Sequence, residues 1–160
     1  MKILFLDFDG VLHPFNVRFN EDLELALECD DKSLSLFCWA PILESILDDV
    51  DPESHIKIVL STTWAHRYGW EVAACRLTPA LQSRVVGGTI GYNRPRGLQI
   101  QKYVEEINIA DHEWLAIDDD DYLWPTQLLD QLIKTDENLG LLEKSTQQLL
   151  RIKLKELLLQ

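Results

Sequence analysis

Ile3-Leu4-Phe5-Leu6-Asp7-Phe8-Asp9-Gly10-Val11-Leu12 is the stretch that decides how this chain folds. The apolar run is short and stops at two acids and a glycine, which is the pattern of a buried strand and its exit. On a strand, residues i and i+2 share a face, so Asp7 and Asp9 are expected to leave the sheet on one side. Gly10 then permits a sharp departure of the backbone. Two like charges converging at a strand end repel, and burying them is costly unless a cation neutralises them. A hard divalent ion with oxygen ligands suits that geometry.

Working outward, the same punctuation recurs. Ile56–Leu60 is a second apolar run, and it stops at Ser61-Thr62. Trp114–Ile117 is a third, and it stops at Asp118-Asp119-Asp120-Asp121. Helical patterns lie between them. Pro41 opens one over Ile42–Leu47, others cover Trp64–Cys75 and Thr78–Ser83, and Leu98, Ile100, Val104 and Ile107 mark one over Arg96–Ile107. Val85-Val86 and Gln131–Thr135 read as further short strands, and Glu143–Leu159 as an amphipathic helix. Residues 11–39 are irregular or mixed. Strands alternating with helices require crossover connections. The fold class is therefore α/β, a Rossmann-like three-layer sandwich with a mainly parallel central sheet. Such sheets bind ligands beyond the carboxyl ends of their strands. Acids and hydroxyls from three distant parts of the chain should gather there.

The bulk properties limit the function classes. The 160 residues suit one domain over 1–160 with a real core, and 46 % apolar with 26 % charged residues is globular composition. No stretch approaches the roughly 20 apolar residues of a membrane helix, and no signal peptide is expected. Cys29, Cys38 and Cys75 are odd in number and form no C-x-x-C pair, so buried free thiols and a cytoplasmic location are expected. A net charge of −12 disfavours non-specific nucleic-acid binding. It leaves room for an anionic substrate at one local site.

The clustered residues have a coherent chemistry. A carboxylate attacks phosphorus competently when a metal screens the incoming charge. Asp7 would attack and form an aspartyl-phosphate. Asp9 would protonate the leaving oxygen and then deprotonate water. Asp118 and Asp119 would complete a Mg²⁺ shell with Asp7 and Asp9. Ser61 or Thr62, Gly10 and the following helix N-terminus would hold phosphate oxygens, and Arg96 would balance the charge.

At these residues the chain resembles the haloacid dehalogenase (HAD) superfamily of phosphohydrolases. The motifs are Asp7-Phe8-Asp9-Gly10-Val11, Ile58-Val59-Leu60-Ser61-Thr62, Arg96-Gly97-Leu98 and Ala116-Ile117-Asp118-Asp119, in the family's order. Thr135–Leu141 looks like the tail loop of small members. The resemblance implies a Mg²⁺-dependent phosphatase in which Asp9 reaches the metal through its main-chain carbonyl. It also favours Thr62, two residues before Trp64, while leaving Ser61 open. The third motif is often Lys, so Lys102 stands as an alternative to Arg96. Neither gap between motifs has room for a full cap domain, though residues 11–39 could form a flap or minimal cap. An open site suits a phosphorylated macromolecular end or an exposed small molecule, in a monomer or dimer. Some capless relatives repair nucleic-acid ends, against which the acidic charge weighs.

Two other classes compete. A receiver-like signalling domain would accept a phosphoryl group on aspartate without turnover, but its acids are adjacent after the first strand, whereas Phe8 separates them here. A catalytically weak relative could serve protein interaction, but every motif acid is intact. His13 is expected to be a plain loop histidine, His55, His66 and His112 to lack a role, and the five tryptophans to be core or rim.

Overall fold

The computed structural model describes residues 1–89 and 94–160. Five parallel strands form the central sheet: β1 (Lys2–Leu6), β4 (Ile56–Leu60), β5 (Val85–Gly88), β6 (Trp114–Asp118) and β7 (Leu132–Lys134). Their spatial order is β5-β4-β1-β6-β7. Counted along the chain within the sheet, this is 3-2-1-4-5, the Rossmann-type order and not the 2-1-3-4-5 order of receiver domains. The receiver reading is overturned by that connectivity. The order reverses at β1, whose neighbours are β4 on one side and β6 on the other. The carboxyl end of β1 is therefore the switch point at which such folds bind ligands.

Alternation along β1 divides the core. Leu4 and Leu6 face a large apolar layer with α1 (Ala40–Val50), α2 (Thr63–Tyr68), α3 (Trp70–Ala74), α4 (Pro79–Arg84) and α6 (Lys144–Leu159). Ile3 and Phe5 face a smaller layer containing Ile100 and Val104 of α5 (Arg96–Ile107), with Trp114 and Trp124. Both faces of the central strand are thus sealed, as a parallel sheet requires. At the opposite end of the sheet, Arg84 donates to Asp51 Oδ2 at 2.7 Å, and Asp51 also accepts from the Ile56 and His55 N–H groups. The start of β4 is pinned there.

Several expectations needed correction. The helix expected over Trp64–Cys75 is two helices, because Gly69 sits at φ +86°, ψ 147° and breaks the run. The irregular stretch 11–39 contains an antiparallel hairpin, β2 (Val17–Phe19) with β3 (Leu25–Leu27). Its turn is held by the Asn20 side chain, which accepts from the Asp22 and Glu24 N–H groups. No cap domain stands over the sheet among the described residues. The three cysteines are free, but Cys29 and Cys38 are only half-buried and Cys75 is exposed. No helix of the described residues is long and apolar enough to cross a membrane.

Candidate active site

β1 ends at Leu6, and the chain then turns under the edge of the sheet. Asp7 donates its N–H to the Ile117 carbonyl, which fixes it against the end of β6. Its carboxylate is buried. Asp118 closes β6 and is equally buried, and Asp119 follows it. One oxygen from each of Asp7, Asp118 and Asp119 lies within 4.8 Å of the others. Asp120 and Asp121 stay apart from this trio. Asp120 closes a turn by accepting from Tyr122 N–H, and Asp121 pairs with Lys134 at 2.7 Å.

Burial sets the electrostatics. It pushes the Asp118 carboxyl well above the usual range, with Asp7 adding repulsion and Arg96 opposing. Burial likewise raises Asp7, against the pull of Arg96 and with Asp9 adding to the rise. Asp119 is pushed up to about 7, chiefly by burial and then by Asp7. Asp7 Oδ1 and Asp118 Oδ2 are buried without a hydrogen-bond partner. Three crowded carboxylates, two of whose buried oxygens make no hydrogen bond, form an all-oxygen donor set that fits a hard divalent cation. Gly10 makes the crowding possible. It takes φ +73°, and a Cβ there would collide with the Asp119 carboxylate.

Arg96, at the start of α5, supplies the positive charge. Its Nε lies 3.3 Å from Asp118 Oδ2, and Nη2 lies 3.8 Å from Asp7 Oδ1. Lys102 is one and a half turns along the same helix and pairs with Glu106 instead. The structure thus brings Arg96, and not Lys102, to the acids.

The two hydroxyls after β4 part company. Thr62 caps α2, accepting from Trp64 N–H at 3.4 Å, and its hydroxyl also lowers the Asp7 carboxyl by hydrogen bonding. Ser61 Oγ is buried and has no partner. It is an unsatisfied hydroxyl at the carboxyl end of β4, the strand paired with β1. The Gly10 N–H, expected among the phosphate-binding groups, is donated to the His13 carbonyl at 2.9 Å, so it serves the turn.

Asp9 lines the same cavity of about 330 Å³ as Asp7, Arg96 and Asp118. Its carboxylate nevertheless stands outside the trio, because β1 has already ended and the i, i+2 rule no longer applies. Trp64 Nε1–H donates to Asp9 Oδ1 at 2.9 Å. His13 Nε2 meets the same oxygen at 2.9 Å, while its Nδ1 accepts from Phe37 N–H at 3.0 Å. That acceptor role leaves the proton on Nε2, so His13 also donates to Asp9. Oδ1 is saturated and Oδ2 remains for chemistry. His13 is fully buried, which corrects the plain loop histidine, and Trp64 is more than core packing. A histidine set between Leu12 and Pro14 just after the acid motif was the available signal. Thr135 was missed as well: its hydroxyl donates to the Gly10 carbonyl at 2.7 Å and clamps the turn from a distant loop.

Among curated proteins no match is found. The family model of the HAD domain in Swiss Army Knife RNA repair proteins matches residues 3–146. That span takes in β1, the hairpin, every motif acid and the start of α6, so the chain belongs to this family of HAD domains.

Proposed function

We propose that this chain is a phosphatase for phosphate monoesters in RNA repair, working through an aspartyl-phosphate on Asp7. The observation that carries this reading is the division of labour among the acids. Three are crowded for a cation, and a fourth is held aside with one oxygen free. Asp7, Asp118 and Asp119 would hold Mg²⁺, together with the Asp9 carbonyl that the family resemblance implies. When bound, the ion neutralises the carboxylates and the phosphate oxygens, which keeps the nucleophile ionised in a buried site.

The chain's own groups then account for both half-reactions. Arg96 and the Ser61 hydroxyl bind and orient the phosphate oxygens. Asp7 attacks phosphorus, the ester P–O bond breaks, and Asp9 Oδ2 gives its proton to the departing oxygen. In the second half, Asp9 takes a proton from water as that water attacks the aspartyl-phosphate. Inorganic phosphate leaves, and both acids return to their starting states.

The test is hydrolysis of p-nitrophenyl phosphate. Turnover should require Mg²⁺ and vanish in EDTA. Asp7→Asn should lower kcat by at least about 10³-fold while circular dichroism stays unchanged, since removing the nucleophile removes the covalent route. Normal rates in Asp7→Asn, or no turnover of any phosphate monoester with Mg²⁺, would overturn the proposal.

A further inference from the structure

A second cavity, of about 440 Å³, adjoins the acid site and shares Asp9 and Thr63 with it. Val17 and Leu25 of the hairpin form one wall, and Trp64, Arg67 and Tyr68 of α2 form the other. We infer that this groove seats the terminal nucleoside of a single-stranded RNA end whose phosphate is held at Asp7. The inference rests on the phosphatase reading above and adds to it the part of the substrate that remains after phosphate is removed.

Position is the first argument. The groove begins at Asp9, the group that would protonate the leaving oxygen, so whatever carries that oxygen must extend into this space. The chemistry of the walls is the second. Tyr68 is exposed at 38 %, and its ring lies 6.1 Å from that of Trp64, so its outer face is open to a flat partner. Two half-buried aliphatic side chains stand opposite. A base of any identity can stack on a tyrosine ring, because every base has a π-face. Charge is the third. Arg67 lies 5.3 Å over the Phe19 ring and so spans α2 and the hairpin at the groove, and Arg76 lies 5.7 Å over Trp64. Arg94 and Arg96 line the adjoining acid cavity. In a chain of net charge −12, Arg67 at the groove and Arg94 in the adjoining cavity supply local positive charge for a polyanion. Open rather than enclosed, the groove lets a strand continue outward from its last nucleoside.

The experiment separates this inference from the reading beneath it. Values of kcat/KM are measured with Mg²⁺ for acetyl phosphate, whose small leaving group stops short of the groove. The same is done for pentaribonucleotides carrying a 3′- or a 5′-terminal monophosphate. At least one end should be preferred over acetyl phosphate by tenfold or more. Tyr68→Ala and Leu25→Asp should each cut that ratio at least fivefold through KM, and Tyr68→Phe should retain it. Binding is measured separately by fluorescence anisotropy, using a distally labelled pentaribonucleotide without a terminal phosphate. Its Kd should weaken at least fivefold in Tyr68→Ala and Leu25→Asp and hold in Tyr68→Phe. If neither p-nitrophenyl phosphate nor either phosphorylated pentaribonucleotide is hydrolysed with Mg²⁺, the phosphatase reading fails and the anisotropy decides the groove. Equal Kd values for wild type and all three variants overturn the nucleoside groove. So does a phosphotyrosine peptide that competes as well as the RNA.

Discussion

Asp9 shows how a single carboxylate is given one job. Its Oδ1 accepts from both Trp64 and His13, which fixes the rotamer and leaves Oδ2 outside those two bonds for the proposed general-acid role. A general acid contributes about 10²–10⁴-fold when it is well placed. Part of that factor should depend on His13, which is buried and held in one tautomer by Phe37. His13→Ala is expected to slow kcat for an alkyl phosphate about tenfold or more. An aryl phosphate with a good leaving group needs less protonation and should lose no more than about threefold. His13→Gln keeps an N–H near the Nε2 position and should recover much of the loss. A leaving-group series on the three proteins measures this, and equal losses across the series would reduce His13 to packing. The acids and hydroxyls of the site were legible in the sequence because each closes an apolar run. The groups that orient them were not. Trp64 reaches Asp9 across 55 residues and Thr135 reaches Gly10 across 125, and no local pattern encodes such pairings.

At the scale of elements, the break between α2 and α3 positions the site. Thr62 caps α2, so the helix must start at the sheet edge, and Gly69 must end it before its axis leaves the core layer. The φ +86°, ψ 147° of Gly69 lies where side chains are strongly disfavoured, although a Cβ would find room there beside Glu71. Gly69→Ala should therefore cost about 1–3 kcal/mol through backbone strain alone. Urea denaturation measures it, and a loss below about 0.5 kcal/mol would show that the glycine's conformational freedom is not what holds the break. This break escaped the sequence because the apolar periodicity runs through it from Trp64 to Ala74. The hairpin escaped because its strands have three residues each, too few for alternation to stand out, and its turn depends on one asparagine side chain. The sheet strands were legible for the opposite reason. Burial on both faces makes them continuous apolar runs, and their ends are where the polar residues begin.

Across the whole molecule, net charge and local charge are different quantities. Net −12 disfavours non-specific nucleic-acid binding, and the family matched is named for RNA repair. A total hides local sign. Acids converge on the metal-fitting trio, which Arg96 faces, while Arg67 lines the adjoining groove and Arg94 the acid cavity. The trio also couples stability to pH and to metal. Asp7, Asp118 and Asp119 all bind protons more tightly when folded than the ordinary carboxyl value of 3.8, Asp119 up to about 7. Between roughly pH 4 and 7 the folded state then holds more protons than the unfolded one, so stability falls as pH rises through that window. Asp51 works in the opposite sense. Although burial pushes it up, hydrogen bonds from Ile56, His55 and Arg84 win and lower it, so its contribution is lost only below about pH 4. In EDTA, raising the pH from 5.0 to 7.5 should lower the thermal midpoint on the order of 5 °C. Millimolar Mg²⁺ should reverse that fall, because a cation that binds only the folded, ionised trio stabilises it by mass action. Asp119→Asn should flatten the slope in EDTA and weaken the response to Mg²⁺. A midpoint that rises with pH in EDTA would mean that folding does not raise the three carboxyls, and one that ignores Mg²⁺ at pH 7.5 would mean that they do not share a cation.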